Sequence, residues 1–146
     1  MKIIVFYFFL LSASLLTSCS NGKGNNEEEM VVQVRSSKHT NRGTPIYLVI
    51  KETSMADFLI DDYHQIATQS FWKEEHPHQL IKKVLVPGKT TRLTVDIANQ
   101  EKSLGLYFIF TSPGDCWKYF VDHPRSKTVK VLLGENEYEA INVYDS

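Results

Sequence analysis

From Met30 onward, apolar and polar residues alternate with a period of two along most of the chain, the spacing that turns successive side chains of a strand to opposite faces. Val32 and Val34 oppose Gln33 and Arg35, and Leu93, Val95 and Ile97 oppose Arg92, Thr94 and Asp96, so both segments read as half-buried strands. Ile46 to Ile50 and Leu104 to Phe110 are instead continuous apolar runs rich in β-branched and aromatic residues, as expected of central strands covered on both faces. Gly105, inside the second run, marks a place where another group approaches the backbone closely. Trp117 to Val121, Thr128 to Leu133 and Tyr138 to Tyr144 bring the predicted strands to seven, the last two joined by a hairpin at Gly134-Glu135-Asn136. Seven strands in about 115 residues is the density of a sandwich.

One segment breaks this period. Ser54 is suited to cap a helix, Asp57 follows three residues later, and Met55, Phe58, Leu59 and Ile66 fall on one side at helical spacing. A short helix packed across one sheet is expected there, with Asp61-Asp62 on its solvated face. Phe71 and Trp72 lead into the polar stretch Lys73 to His78, which Pro77 marks as loop. Pro87-Gly88 has the form of a type II turn, with proline presetting φ and glycine supplying a positive one, and leads directly into the Thr90 strand.

The N-terminus carries a different pattern. Lys2 is followed by an almost wholly apolar run from Ile3 to Leu16 and then by Thr17, Ser18 and Cys19. At about 1.5 Å per residue such a run spans roughly 21 Å as a helix, short of the ~30 Å hydrocarbon core of a bilayer. It reads as a lipoprotein signal peptide over residues 1–18, with Leu16-Thr17-Ser18-Cys19 as its lipobox and Cys19 as the acylated first residue of the mature chain. Ser20 to Glu29 contains no apolar residue, so nothing in it offsets the entropy of ordering. Residues 19–29 are therefore expected to be a lipidated cysteine and flexible tether, and residues 30–146 a single β-sandwich domain.

Charge and cysteine count narrow the function. The chain holds 16 basic and 17 acidic residues, and loss of Lys2 with the signal leaves 15 and 17, a balance without the field of a nucleic-acid binder. With Cys19 acylated, Cys116 has no intrachain partner and is expected to be a buried small apolar side chain. No nucleophile elbow, phosphate-binding glycine loop or Cys-x-x-Cys occurs, so no catalytic residue and no cofactor is expected, and the chain is not read as an enzyme. Glu74-Glu75-His76-Pro77-His78 places carboxylates and imidazoles together, and Glu75, His76 and His78 are groups a divalent metal accepts. No third ligand follows at a fixed spacing, so the segment reads as a polar loop and the metal question stays open. Asp115, Asp122 and His123 lie beside turn signals at Gly114 and Pro124, where polar residues are ordinary.

The order of these features carries a resemblance. Lipobox and polar tether, a first strand from Val31, the loop Asn41-Arg42-Gly43-Thr44-Pro45, the strand Ile46 to Ile50, the Ala56-Asp57-Phe58 segment, Leu85-Val86-Pro87-Gly88, Leu104-Gly105-Leu106-Tyr107-Phe108 and Trp117 together resemble the type VI secretion outer-membrane lipoproteins of the TssJ/SciN family. The charged, histidine-rich loop from Phe71 to Gln79 departs from that pattern. The resemblance implies an all-β, transthyretin-like sandwich of about seven to eight strands with a short helical insertion. It also implies an outer-membrane anchor through acylated Cys19, which Ser20 at the next position favours, and a domain facing the periplasm. The implied partner is the periplasmic C-terminal part of the inner-membrane component TssM. Binding would run through the loop between the first two strands, here Lys38, His39, Thr40, Asn41, Arg42, Gly43 and Thr44. From the residues themselves, Lys38, His39 and Arg42 offer donors to an acidic partner, while Asn41 and Gly43 permit the turn. The alternative is a free-standing periplasmic lipoprotein that binds a small ligand or inhibits an envelope enzyme, with Phe71, Trp72, Tyr107, Trp117 and Tyr119 available to line a pocket.

Overall fold

A computed structural model describes residues 29–71, 79–97 and 102–145. The readings made for the signal segment, for Cys19 and the tether up to residue 28, and for Glu75, His76 and His78 lie outside the described residues. Within them the chain forms eight strands: β1 (Glu29–Ser36), β2 (Ile46–Thr53), β3 (Gln79–Leu85), β4 (Thr90–Asp96), β5 (Ser103–Ile109), β6 (Lys118–Val121), β7 (Lys127–Leu133) and β8 (Tyr138–Asp145). They build two four-stranded sheets, ordered β4-β1-β7-β8 and β3-β2-β5-β6. The fold is an all-β sandwich. Pairing is antiparallel throughout except between β1 and β7, which run parallel.

The period-two pattern decides which face each strand buries. Met30, Val32 and Val34 of β1 meet Ile46, Leu48 and Ile50 of β2, Leu104, Leu106 and Phe108 of β5, and Val129, Val131 and Leu133 of β7 in one core between the sheets. At about 25 cal/mol per Å² of apolar surface, this core is the main source of stability in a domain whose Cys116 forms no disulfide. β2 and β5 are covered a second time: Val49, Tyr107 and Ile109 on their outer faces pack under Phe58 and Ile66. This second cover is why these two strands read as unbroken apolar runs. Gly105 answers to the same packing, since a Cβ there would lie 2.5 Å from the Tyr107 ring.

The helical excursion differs from expectation. Instead of one helix there are two, α1 (Met55–Ile60) and α2 (Tyr63–Phe71). Ser54 caps α1 as expected, accepting from the Asp57 amide at 3.1 Å. The break falls at Asp61, whose backbone turns extended at φ −56°, ψ 117°. Asp62 then caps α2 by accepting from the amides of His64 (2.9 Å) and Gln65 (3.2 Å). Asp61-Asp62 is thus a junction rather than a solvated helix face: Asp61 pairs with Lys51 at 2.8 Å and accepts from the Tyr107 hydroxyl. Splitting the helix changes its faces. Phe58 and Ile66 turn inward, whereas Met55 and Leu59, expected beside them, are exposed.

Lys118 holds α1 to the sheet. Its ammonium donates to the carbonyls of Phe58 (2.6 Å) and Asp61 (2.9 Å) and sits 4.8 Å from the Phe58 ring centre, satisfying the carbonyls left open at a helix end. Burial away from water lowers its pKa from the usual lysine value.

The strand β3 was not among the seven expected. In Gln79-Leu80-Ile81-Lys82-Lys83-Val84-Leu85 the residues opposite the core positions Leu48 and Ile50 are Lys83 and Ile81, so a lysine occupies a core-side register. An edge position lets its ammonium reach water, and a lysine pointing inward at a sheet edge also discourages further strand pairing.

Candidate functional site

Strand direction sorts the connections to two ends of the sandwich. At the end where β1 begins, the Ser126 amide donates to the Glu29 carbonyl (3.0 Å) and the Ser103 hydroxyl to Asp122 (2.9 Å). At the opposite end lie residues 37–45, the 86–89 turn, residues 110–117 and the 134–137 hairpin. These four are stitched together by backbone bonds: Gly88 to Ser37 (2.9 Å), Asn41 to Glu135 (2.6 Å) and Gly114 to Asn136 (2.8 Å), each amide named before its acceptor. The Pro87-Gly88 turn is type II, with Gly88 at φ 78° and the Lys89 amide donating to Val86 at 3.2 Å.

Residues 37–45 are the most distinctive part of that end. A 3₁₀ turn, Thr40–Gly43, passes through three consecutive left-handed residues: Asn41 at φ 50°, Arg42 at φ 54° and Gly43 at φ 78°. A non-glycine residue in that region costs roughly 1–2 kcal/mol, least for asparagine, so the turn persists only if its surroundings determine it. Asn41 supplies that determination. Its side-chain amide donates to the carbonyls of Thr44 (3.1 Å) and Pro45 (3.2 Å), and its Oδ1 accepts from the Thr111 amide at 2.8 Å. Thr40 assists: its Oγ1 accepts from the Ser37 amide (3.1 Å) and donates to the Leu133 carbonyl (3.4 Å).

The expected partner-binding segment therefore divides in two. Thr40 and Asn41 are buried, at 0% and 5% exposure, and their side chains are spent inside the loop, where they set its shape. Lys38, His39, Arg42, Gly43 and Thr44 are exposed. Neither Lys38 nor Arg42 joins an ion pair among the described residues, where the ion pairs use Lys51, Lys102 and His123. Lys38 crosses the turn at Gly88, where an added Cβ would meet its Cγ at 3.0 Å. The result is a braced turn that lifts unpaired cations into solvent.

The aromatic residues considered as a pocket lining are packed instead. Tyr107 is fully buried, Trp117 stands edge-on to Tyr63 with ring centres 5.0 Å apart, and Tyr119 meets Tyr138 edge to face against the inter-sheet core. Burial and the neighbouring Asp61 carboxylate raise the Tyr107 pKa well above the usual phenol value. Trp72 and the side chain of Phe71 lie outside the described residues. Cys116 is half-buried rather than buried, because it sits in the 110–117 connection, where its amide donates to Glu137 at 3.1 Å. Asp115, Asp122 and His123 are exposed, as expected of turn residues, and the Ser103 hydroxyl lowers the Asp122 pKa. An open hollow of about 540 Å³ lined by Glu52, Met55, Asp57, Lys102, Phe120 and Asp122 lies at the other end of the sandwich, away from the loop. Among the described residues no three histidine, cysteine or acidic side chains are grouped to hold a metal, and no helix is long and apolar enough to cross a membrane.

The same sandwich occurs in solved proteins of type VI secretion. The chain is similar to the T6SS lipoprotein TssJ1 from Pseudomonas aeruginosa, with a TM-score of 0.65 and 18% identity over 82% of this chain and 98% of that one. It is similar to Lip from Serratia marcescens, a membrane-bound component of the type VI secretion system, with a TM-score of 0.59 and 15% identity over 82% and 98% of the two chains. A chain in the structure of the T6SS protein TssM C-terminal domain from EAEC matches with a TM-score of 0.63 and 13% identity over 78% and 97%. No curated protein matches the sequence. At these identities the likeness is one of fold, and the fold is that of the type VI secretion lipoproteins. The chain belongs to the IglE family, matching the IglE N-terminal domain over residues 47–133.

Proposed function

We propose that this protein is an outer-membrane lipoprotein that anchors a type VI secretion envelope complex, held in the membrane by acylated Cys19 and binding the periplasmic C-terminal part of a TssM-like inner-membrane component through residues 38–44. The observation that carries this reading is the braced left-handed turn at Asn41-Arg42-Gly43. Strained backbone is retained where the shape it makes is used, and here it presents Lys38, His39 and Arg42 from a scaffold that needs no reordering on binding. The work is positional. No catalytic step enters it, and the shared fold with secretion lipoproteins supports the same setting.

The test is co-purification from detergent-solubilised envelopes. Replacing Lys38, His39 and Arg42 together with serine should weaken recovery of the inner-membrane component, most strongly at low salt where exposed charges count most. The domain should keep its unfolding midpoint, since these side chains are exposed. Recovery equal to that of the unaltered protein at every salt concentration would remove the loop from the binding surface.

A further inference from the structure

The two broad faces of the sandwich differ in cover. Phe58 and Ile66 of the helices lie over Val49, Tyr107 and Ile109 on the outer face of β2 and β5. The outer face of the β4-β1-β7-β8 sheet stays open, with Arg35, Arg92, Lys130 and Asn142 exposed. Register fixes what stands there. One row across the four strands reads Arg92, Gln33, Lys130 and Asn142, and Arg35 stands two residues beyond Gln33 on the same face. Gln33, Arg35, Lys130, Leu132 and Asn142 border a shallow depression of about 290 Å³.

Gln33 is thus a neutral side chain with a cation on three sides. Arg35 lies diagonally across from both Arg92 and Lys130, at about 7–8 Å, while Arg92 and Lys130 are two strands and so about 10 Å apart. These separations are close to one Debye length, about 8 Å at physiological salt, so the three charges act on each other. The neighbouring positions of the face are threonine, valine, leucine, alanine and tyrosine, and no carboxylate stands among the cations. The acidic residues of this sheet lie at its ends, with Glu29 opposite Asp96 and Asp145 opposite Lys127 at one, and Glu139 against Gly134 at the other. None of Arg35, Arg92 and Lys130 joins an ion pair among the described residues, and Lys130 stands 5.0 Å from the centre of the Tyr144 ring.

Like charges set side by side on a sheet weaken it, and opposite charges at the same positions would strengthen it. A chain with more acidic than basic residues nevertheless places only cations and amides around this depression. An arrangement that costs stability with no compensating contact inside the fold marks a surface whose counter-charge comes from outside. The groups present select the kind of charge. A carboxylate brings one negative charge, whereas a phosphate monoester brings about −1.5 to −2 at neutral pH on three acceptor oxygens. Arg35 offers a planar fork of donors, Lys130 a point charge, and Gln33 and Asn142 amide N–H groups, a set that suits several oxygens on one small group.

We infer that Arg35, Lys130, Gln33 and Asn142 form a binding site for a phosphate group, with Arg92 adding to the positive field at its edge. The ligand is a phosphorylated lipid headgroup or a free phosphorylated molecule, since both present the same group to the same donors. The site is independent of residues 38–44 and of the anchor at Cys19.

The test uses the full chain from residue 19 with Cys19→Ser, so that binding to a membrane reports on this face and not on an acyl chain. Inorganic phosphate is titrated while the side-chain N–H resonances of Gln33, Asn142, Arg35 and Arg92 are followed by nuclear magnetic resonance. They should shift in a saturable way, and sodium chloride at the same ionic strength should not move them. Arg35→Gln with Lys130→Gln should weaken the binding by about tenfold or more, the effect of losing two charge-assisted contacts. Without phosphate the same pair of substitutions should leave the unfolding midpoint equal to or above that of the unaltered chain, because they relieve repulsion. Flotation with phosphatidylcholine vesicles containing phosphatidate, lost in the double variant and absent with phosphatidylcholine alone, assigns the ligand to a lipid headgroup. Phosphate-dependent shifts with no flotation assign it to a free phosphorylated molecule. Shifts equal to those in chloride, or spread evenly over Lys38, Lys89 and Arg42, overturn the inference. So does binding of polyglutamate with no response to phosphate, which assigns the face to an acidic protein, and so does a midpoint lowered by the substitutions without phosphate, which makes the cations part of the sheet's own stability.

Discussion

Asn41→Ala is the sharpest test of how the loop is held. The substitution removes two hydrogen bonds donated to the carbonyls of Thr44 and Pro45 and one accepted from the Thr111 amide. At about 1 kcal/mol net for each, and with the exposed Thr111 partly recovering its partner from water, the loss is about 2–3 kcal/mol. Unfolding about 115 residues carries roughly 0.25 kcal/mol per kelvin of entropy, so the midpoint should fall by about 8–12 °C. Asn41→Gly removes the same three bonds but accepts φ 50° without a Cβ. It should therefore be more stable than Asn41→Ala by about 1 kcal/mol, a difference that isolates the backbone strain. Urea unfolding followed through Trp117 fluorescence and far-ultraviolet dichroism measures both. An alanine variant within about 0.5 kcal/mol of the unaltered protein, or a glycine variant no better than alanine, refutes the reasoning.

Other perturbations reach the remaining parts of the account. Gly105→Ala drives a Cβ into the Tyr107 ring at 2.5 Å and should cost about 1–3 kcal/mol in urea unfolding, with part of the loss recovered by adding Tyr107→Val. Tyr107 and Tyr63 have pKa values raised chiefly by burial, so the folded state binds their protons more tightly than the unfolded chain. Their contribution is complete below about pH 10, the ordinary phenol range, and is lost as the pH climbs toward the raised values. Absorbance at alkaline pH should show these two phenols ionising only together with unfolding, and their ionisation in the intact fold would contradict the burial argument. Cys19→Ser should leave the domain's unfolding midpoint unchanged while moving the protein from the membrane fraction to the soluble one; continued membrane recovery would end the lipid-anchor reading.

Much of the sandwich was legible because the pattern has a period of two wherever one face is buried. Val32 and Val34, or Val95 and Ile97, can satisfy that pattern only as strands. The unbroken runs at Ile46 and Leu104 announced double cover, and Gly105 announced a close approach, which proves to be its own strand neighbour Tyr107. β3 escaped because an edge strand tolerates Lys83 at a core-side position. The break in the helical excursion is not legible, because the periodicity of Met55, Phe58, Leu59 and Ile66 does not show that Asp61 is drawn away by Lys51 and Tyr107. In the loop, Asn41 is legible as a turn residue from its tolerance of left-handed backbone. Its burial is not, because it depends on Thr111 and Glu135, which lie roughly 70 and 94 residues further on. Such long-range partners leave no mark in a local window.

The central claim is that residues 38–44 form the surface that meets the inner-membrane component. A photo-reactive amino acid placed at Arg42, and for comparison at Thr94 on the outer face of the other sheet, tests this in intact cells, since both positions are exposed. The account predicts a crosslink from position 42 to a large TssM-like protein through its periplasmic C-terminal part, and none from position 94. A crosslink from position 94 with none from position 42 would contradict it.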